Sequence, residues 1–158
     1  MAVNILYSGT MSAAMEGSLE GIPSIGFSLL DFDPDANFEA GKPYIKQIME
    51  YALSTGFGKS KLLNVNIPKL PFAELKGIKV CRQADAGWRE EFVEGTDPSG
   101  KKYYWMSGEF VNNDMGADTD VWALENGYLS VVPCGHDLTR YDSLESLQTL
   151  ESIDLLTS

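Results

Sequence analysis

The order of apolar and polar positions divides the first half of the chain into alternating helical and strand-like segments. After an extended start at residues 3–6, Met11, Ala14, Met15 and Leu19 recur at helical spacing, and Gly21 ends the run. Residues 22–30 are nearly continuously apolar, the pattern of a strand covered on both faces. Pro34 and a group of acidic residues mark a loop, beyond which Ile45, Ile48, Met49 and Ala52 fall at i, i+3, i+4 and i+7. That spacing predicts a core-facing helix closed near Gly56. A second strand follows at residues 62–67, bounded by a turn at residues 68–71. Helix, strand, helix and strand in this order predict a layered α/β domain with a parallel sheet.

From Ile78 the pattern changes. Residues 78–82 are strand-like, Asp97-Pro98-Ser99-Gly100 is a strong turn, and residues 102–106 form an aromatic strand. An extended hairpin region is therefore expected across residues 78–111. Residues 112–120 are acidic and polar and predict a mobile loop, followed by a short helix at residues 121–125 stopped by Gly127 and a strand at residues 128–132. Leu144, Leu147 and Leu150 recur behind Asp142, with Glu145 three positions further on, so a capped terminal amphipathic helix is expected. No internal repeat or low-complexity linker interrupts the chain, so residues 1–158 are read as one domain.

Composition narrows the class. The 158 residues are 44% hydrophobic and 22% charged, enough apolar material for one substantial core. With 23 acidic against 12 basic residues the net charge is −11, which argues against a nucleic-acid polymer as partner because the phosphate backbone would be repelled. A small anion remains compatible, since a helix N-terminus reverses the field locally. No apolar run reaches the length of a membrane span, and no basic segment followed by an apolar one opens the chain. Cys81 and Cys134 lack metal-site spacing, and His136 stands alone, so free thiols in a reducing cytoplasm are expected.

The stretch with chemical content is residues 7–17, YSGTMSAAMEG. Gly9 allows a close backbone approach, the first N–H groups of the helix lack internal partners, and the hydroxyls of Ser8 and Thr10 donate to a phosphate or cap the helix. Ordinary capping and phosphate binding both fit this pattern. Glu16, inside the helix, reads either as a supporting carboxylate or as a helix residue with a structural hydrogen bond. Tyr103, Tyr104 and Trp105 suit either stacking on a nucleobase or a subunit contact. The acidic stretches at residues 90–94 and 114–120 read as solvated surface.

Taken together, YSGTMSAAMEG, GIPSIGFSL, LLNVNIP, LKGIKVCRQ, DPSGKKYYWMSGE, DTDVWAL and GYLSVVP followed by DLT resemble the SurE family of nucleotidases in order and spacing. The resemblance runs from about Val3 to Leu147 and corresponds to the C-terminal part of that family. It implies a Rossmann-type α/β fold whose N-terminal βα units are missing here, with a protruding hairpin and a C-terminal helical arm at residues 133–158 that contacts a partner subunit. Family members hydrolyse phosphomonoesters such as nucleoside 5′-monophosphates with one divalent metal, manganese, magnesium or similar. The resemblance makes Ser8, Gly9 and Thr10 the substrate phosphate contacts and implies a homodimer or tetramer. The family's metal ligands are an Asp-Asp pair, a Ser and an Asn of an SGxN segment, all expected upstream of Met1. Asn4 does not match that Asn, and no Asp-Asp dipeptide occurs. On this reading the parent protein is an enzyme, while the present chain is an inactive fragment retaining its oligomer contacts.

Overall fold

The computed structural model describes residues 1–58 and 60–152. Helix α1 (Gly9–Leu19) leads into strand β1 (Ser24–Leu29), and helix α2 (Lys42–Thr55) into β2 (Leu62–Ile67), which pairs in parallel with β1. Strand β3 (Gly77–Val80) opens the second half. Then come β4 (Ala86–Thr96), β5 (Lys102–Asn112), helix α3 (Asp120–Glu125) and β6 (Tyr128–Cys134). The main sheet has the order β1-β2-β6-β3. It is mixed rather than wholly parallel, because β6 runs antiparallel to β2 and parallel to β3.

Strand alternation sorts side chains to the two faces of this sheet. Leu62 packs on Met11 and Ala14 of α1, whereas Val65 and Val131 pack on Ile48 of α2. Leu62, Val65 and Leu129 are fully buried, and each such burial stabilises the fold by about 1.5–3 kcal/mol. Gly26 permits the close packing of α1 on β1, since a Cβ there would stand 2.4 Å from Met11 Sδ. On the far side of β6, Ala123 of α3 closes over Cys81 and Val132.

The hairpin stands as a separate two-stranded sheet, β4 against β5, over residues 86–112, whereas residues 78–80 of the region read as hairpin belong to the main sheet through β3. Its turn is organised by Asp97 Oδ1, which accepts from the amides of Ser99 and Lys101, both at 2.9 Å. Tyr103 lies over Gly95, where a Cβ would meet the ring at 2.5 Å.

Four further expectations change. Residues 3–6 are not extended but lie in a 3-10 helix, Ala2–Tyr7. The loop at residues 112–120 is tied down: Arg82 holds Asp114 and Asp118, and Asp114 Oδ1 accepts from the amide of Gly116. Within the acidic stretch read as solvated, Asp120 is fully buried. The capped terminal helix is only one turn, α4 (Leu144–Leu147), between 3-10 turns at Tyr141–Ser143 and Gln148–Ser152. Asp142 pairs with Arg140 instead of capping, and Leu144, Leu147 and Leu150 are exposed. A leucine stripe without a surface to cover supports little helix at this length. The last residues of the expected arm, 153–158, lie outside the described residues.

Candidate phosphate site

Ser8, Gly9 and Thr10 come together at the N-terminus of α1. Ser8 is the N-cap, its Oγ accepting from the amide of Met11 at 3.3 Å and its carbonyl from the amide of Ser12 at 2.8 Å. Capping therefore falls to Ser8, and Thr10 is inside the first turn. The amides of Gly9 and Thr10 have no partner among the described residues, and the first turn of α1 holds no carboxylate that would answer its positive end. Gly9 is exposed, and a Cβ on it would meet nothing within 4 Å. Neither packing nor backbone angle demands glycine there, and the space in front of the helix is open.

The 3-10 helix Ala2–Tyr7 delivers the chain to this point, and its supports are long-range. Asp120 Oδ2 accepts from the amide of Ala2 at 2.7 Å, and Asp120 Oδ1 from those of Ala84 and Val121, both at 2.9 Å. Asn4 Oδ1 accepts from the amide of Trp88 at the base of the hairpin, 3.2 Å away, which is a structural use for the one asparagine in this segment. Ile5 packs on the cluster of Met11, Ala14 and Leu62.

A cavity of about 650 Å³ runs along the flank of α1 between Ile5, Met11, Ser12, Arg82 and Cys134, and Ser8, Gly9 and Thr10 do not line it. Glu16 reaches its rim, is exposed and makes no hydrogen bond through its carboxylate among the described residues, so the structural bond expected of it is not formed. Burial pushes the thiols of Cys81 and Cys134 above their ordinary value, which keeps both protonated and poorly nucleophilic. Both are free. The Arg82 guanidinium beside Asp114 and Asp118 holds both carboxyls below the usual carboxylate range, so the three charges satisfy one another.

A divalent cation needs several convergent hard donors. Among the described residues no three His, Cys, Asp or Glu side chains converge in this way. The best-placed carboxylates are already engaged: Asp120 by three amides, Asp114 and Asp118 by Arg82, and Asp31 by Lys69. The described residues do not fit a metal site.

Tyr103, Tyr104 and Trp105 stand apart from Ser8. The base of the hairpin touches the Ala2–Tyr7 turn at Trp88, and Val93, opposite Trp105, is five residues further along the strand, about 17 Å at the strand rise. All three aromatic side chains are exposed, with Tyr104 Oη donating to Glu94 at 3.1 Å.

The sequence reading missed Asp120 and the Arg82 clamp. Asp120 carried one available signal, its place directly after the helix-capping Thr119 in the DTDVWAL block, where a second acidic residue is surplus to capping. Arg82 carried none, since its partners lie more than thirty residues away.

Comparison with known proteins agrees with this architecture. The Survival protein SurE family profile matches residues 1–90. The 5′-nucleotidase SurE of Flavobacterium psychrophilum is 56% identical over 146 residues, covering 92% of this chain and 57% of that protein. That of Cytophaga hutchinsonii is 54% identical over 146 residues, covering 92% and 56%. The crystal structure of the SurE protein from Aquifex aeolicus matches with a TM-score of 0.79 at 41% identity, covering 96% of this chain and 60% of that one. The chain thus spans a little under three fifths of the curated relatives it matches. Among the described residues no helix is long and apolar enough to cross a membrane. The matched profile, the shared identity and the common fold establish that this chain belongs to the SurE family.

Proposed function

We propose that this chain provides the substrate-phosphate contacts and the assembly surfaces of a metal-dependent 5′-nucleotidase. The observation that carries the reading is the open end of α1, with free amides at Gly9 and Thr10, hydroxyls at Ser8 and Thr10 and no carboxylate in the first turn. In a relative of proteins named 5′-nucleotidase SurE, that arrangement suits the phosphate of a nucleoside 5′-monophosphate. Ser8 Oγ already accepts from Met11, which leaves its proton free to donate outward.

Hydrolysis needs more than this cradle, because the attacking water must be activated and the developing charge neutralised, tasks a divalent ion such as manganese or magnesium performs when bound. Its ligands are assigned to the part of the longer relatives that this chain does not span, since the described residues do not fit. The chain alone therefore binds phosphate without turning it over. Its exposed hairpin aromatics, Tyr103, Tyr104 and Trp105, and the leucine stripe of the C-terminal arm serve contacts between copies, giving a homodimer or tetramer. The five residues along β4 between Trp88 and Val93, about 17 Å at the strand rise, favour that assignment over base stacking at the same chain's cradle.

The test is to assay the chain with AMP and with an aryl phosphate, with and without manganese, alongside a phosphorus NMR titration with inorganic phosphate. Saturable phosphate binding, weakened by Thr10→Ala, with no turnover is the expected result. Manganese-dependent turnover by this chain would overturn the division of labour, and absence of phosphate binding would overturn the cradle.

A further inference from the structure

We propose that Asp120 is a positioning residue for the phosphate cradle, holding the Ala2–Tyr7 turn so that the end of α1 is ordered before any ligand arrives. The inference rests on the phosphate reading above and adds to it a residue more than one hundred positions away in sequence. Asp120 has no exposed surface, and its two oxygens divide their work: Oδ1 takes the amides of Ala84 and Val121, whereas Oδ2 takes that of Ala2 alone. Oδ1 thus joins the link between β3 and β4 to the start of α3, and Oδ2 ties the segment that leads to Ser8 onto this junction.

A second observation marks Ala2 as a held position. It is the one non-glycine among the described residues with a left-handed backbone, φ +50°, and it is completely buried against Ala84, Ala86 and Val121. A side-chain-bearing residue keeps that conformation only where its surroundings over-determine it. From Ala2 the turn is short and continuous: the amide of Ser8 donates to the carbonyl of Ile5 at 3.2 Å, so displacement at the start of the turn passes directly to the N-cap. The other polar tethers are weaker: that from the amide of Trp88 to Asn4 is exposed, so water competes for it, and the Met1 amino group donates to Asn66 Oδ1 only at 3.4 Å.

The asymmetry of the carboxylate supplies the experiment. In Asp120→Asn the amide oxygen stays with the two donors Ala84 and Val121, and the NH2 group is turned toward the amide of Ala2, so the tether is cut while the junction is kept. Hydrogen exchange of the Met11 and Ser12 amides should accelerate about tenfold, with those of β2 and β6 unchanged. The dissociation constant for inorganic phosphate should rise about fivefold. Unchanged exchange at Met11 and Ser12, or equal acceleration throughout the sheet, would overturn the proposal, the second because it reports general destabilisation. If the unaltered chain shows no phosphate saturation, the phosphate reading falls and the exchange result alone decides whether Asp120 orders the helix end. Should the variant not fold, native-state exchange of the unaltered chain across a urea series decides instead. Ala2, Met11 and Ser12 are expected to open as one unit with a common urea dependence, and separate opening curves would overturn the coupling.

Discussion

The four-stranded sheet and the β4–β5 hairpin treat apolar side chains in opposite ways. In the sheet, Leu62, Val65, Ile67 and Leu129 are buried between helices on two faces. In the hairpin, Trp88, Phe92, Val93, Tyr103, Tyr104, Trp105 and Met106 are all exposed, Trp105 by 68%. Both hairpin faces carry them, because Tyr103 and Trp105 alternate with Tyr104 and Met106 along β5. An isolated pair of strands is marginal in water, so the backbone pairing and the Asp97 turn do not account for seven exposed large residues. The sheet's sequence is explained by the fold of one chain; that of the hairpin is not, which is what motivates the contact between copies proposed above.

Three substitutions sharpen this contrast. Leu62→Ala, which opens a space beneath Met11 and Ala14, should lower stability by about 3 kcal/mol in urea unfolding. A loss below half of that would place the core elsewhere than between α1 and the sheet. Ser8→Ala removes the acceptor for the Met11 amide and should cost about 1 kcal/mol by the same measurement, the usual worth of an N-cap. Ser8→Ala removes the cap and the proposed phosphate donor together, whereas Thr10→Ala should weaken phosphate binding without touching the cap. Trp105→Ala should change the unfolding free energy of the monomer by less than about 0.5 kcal/mol, as expected for an exposed site. Light scattering across a concentration series should nonetheless show weaker self-association in that variant. A large stability loss in the monomer would mean that the hairpin is a folding element of its own chain.

The elements that were legible in the sequence are those decided by neighbours within a few residues. β2 occupies residues 62–67 as read, since a six-residue segment with apolar residues at 62, 63, 65 and 67, bounded by Gly58 and Pro68, has few alternatives. The Asp97-Pro98-Ser99-Gly100 turn falls between its two strands for the same reason. What escaped depends on distant partners. Residues 3–6 look extended locally, yet they lie in a 3-10 helix whose first residue, Ala2, donates its amide to a carboxylate at position 120. The loop at residues 112–120 looks loose locally, yet Arg82 draws it in. Leu144, Leu147 and Leu150 have helical spacing, but spacing alone does not complete a helix whose apolar side meets no partner. At the site, Ser8, Gly9 and Thr10 were visible because cap, glycine and hydroxyl are adjacent in the chain. Which hydroxyl caps and which remains free was a matter of where α1 begins.

The position of β6 has a consequence for how the protein is made. This strand is the last of the sheet to be synthesised yet lies second from one edge, between β2 and β3. Its partner positions are far away in the chain, Asn64 facing Val132 for example. Until the ribosome has delivered residue 134, β2 has a neighbour on one side only, and β3 has none within the sheet. Closure of this sheet is therefore an event of high contact order, and between the synthesis of β2 and that of β6 the chain presents an open, apolar strand edge that a chaperone, or another nascent copy, is free to meet first.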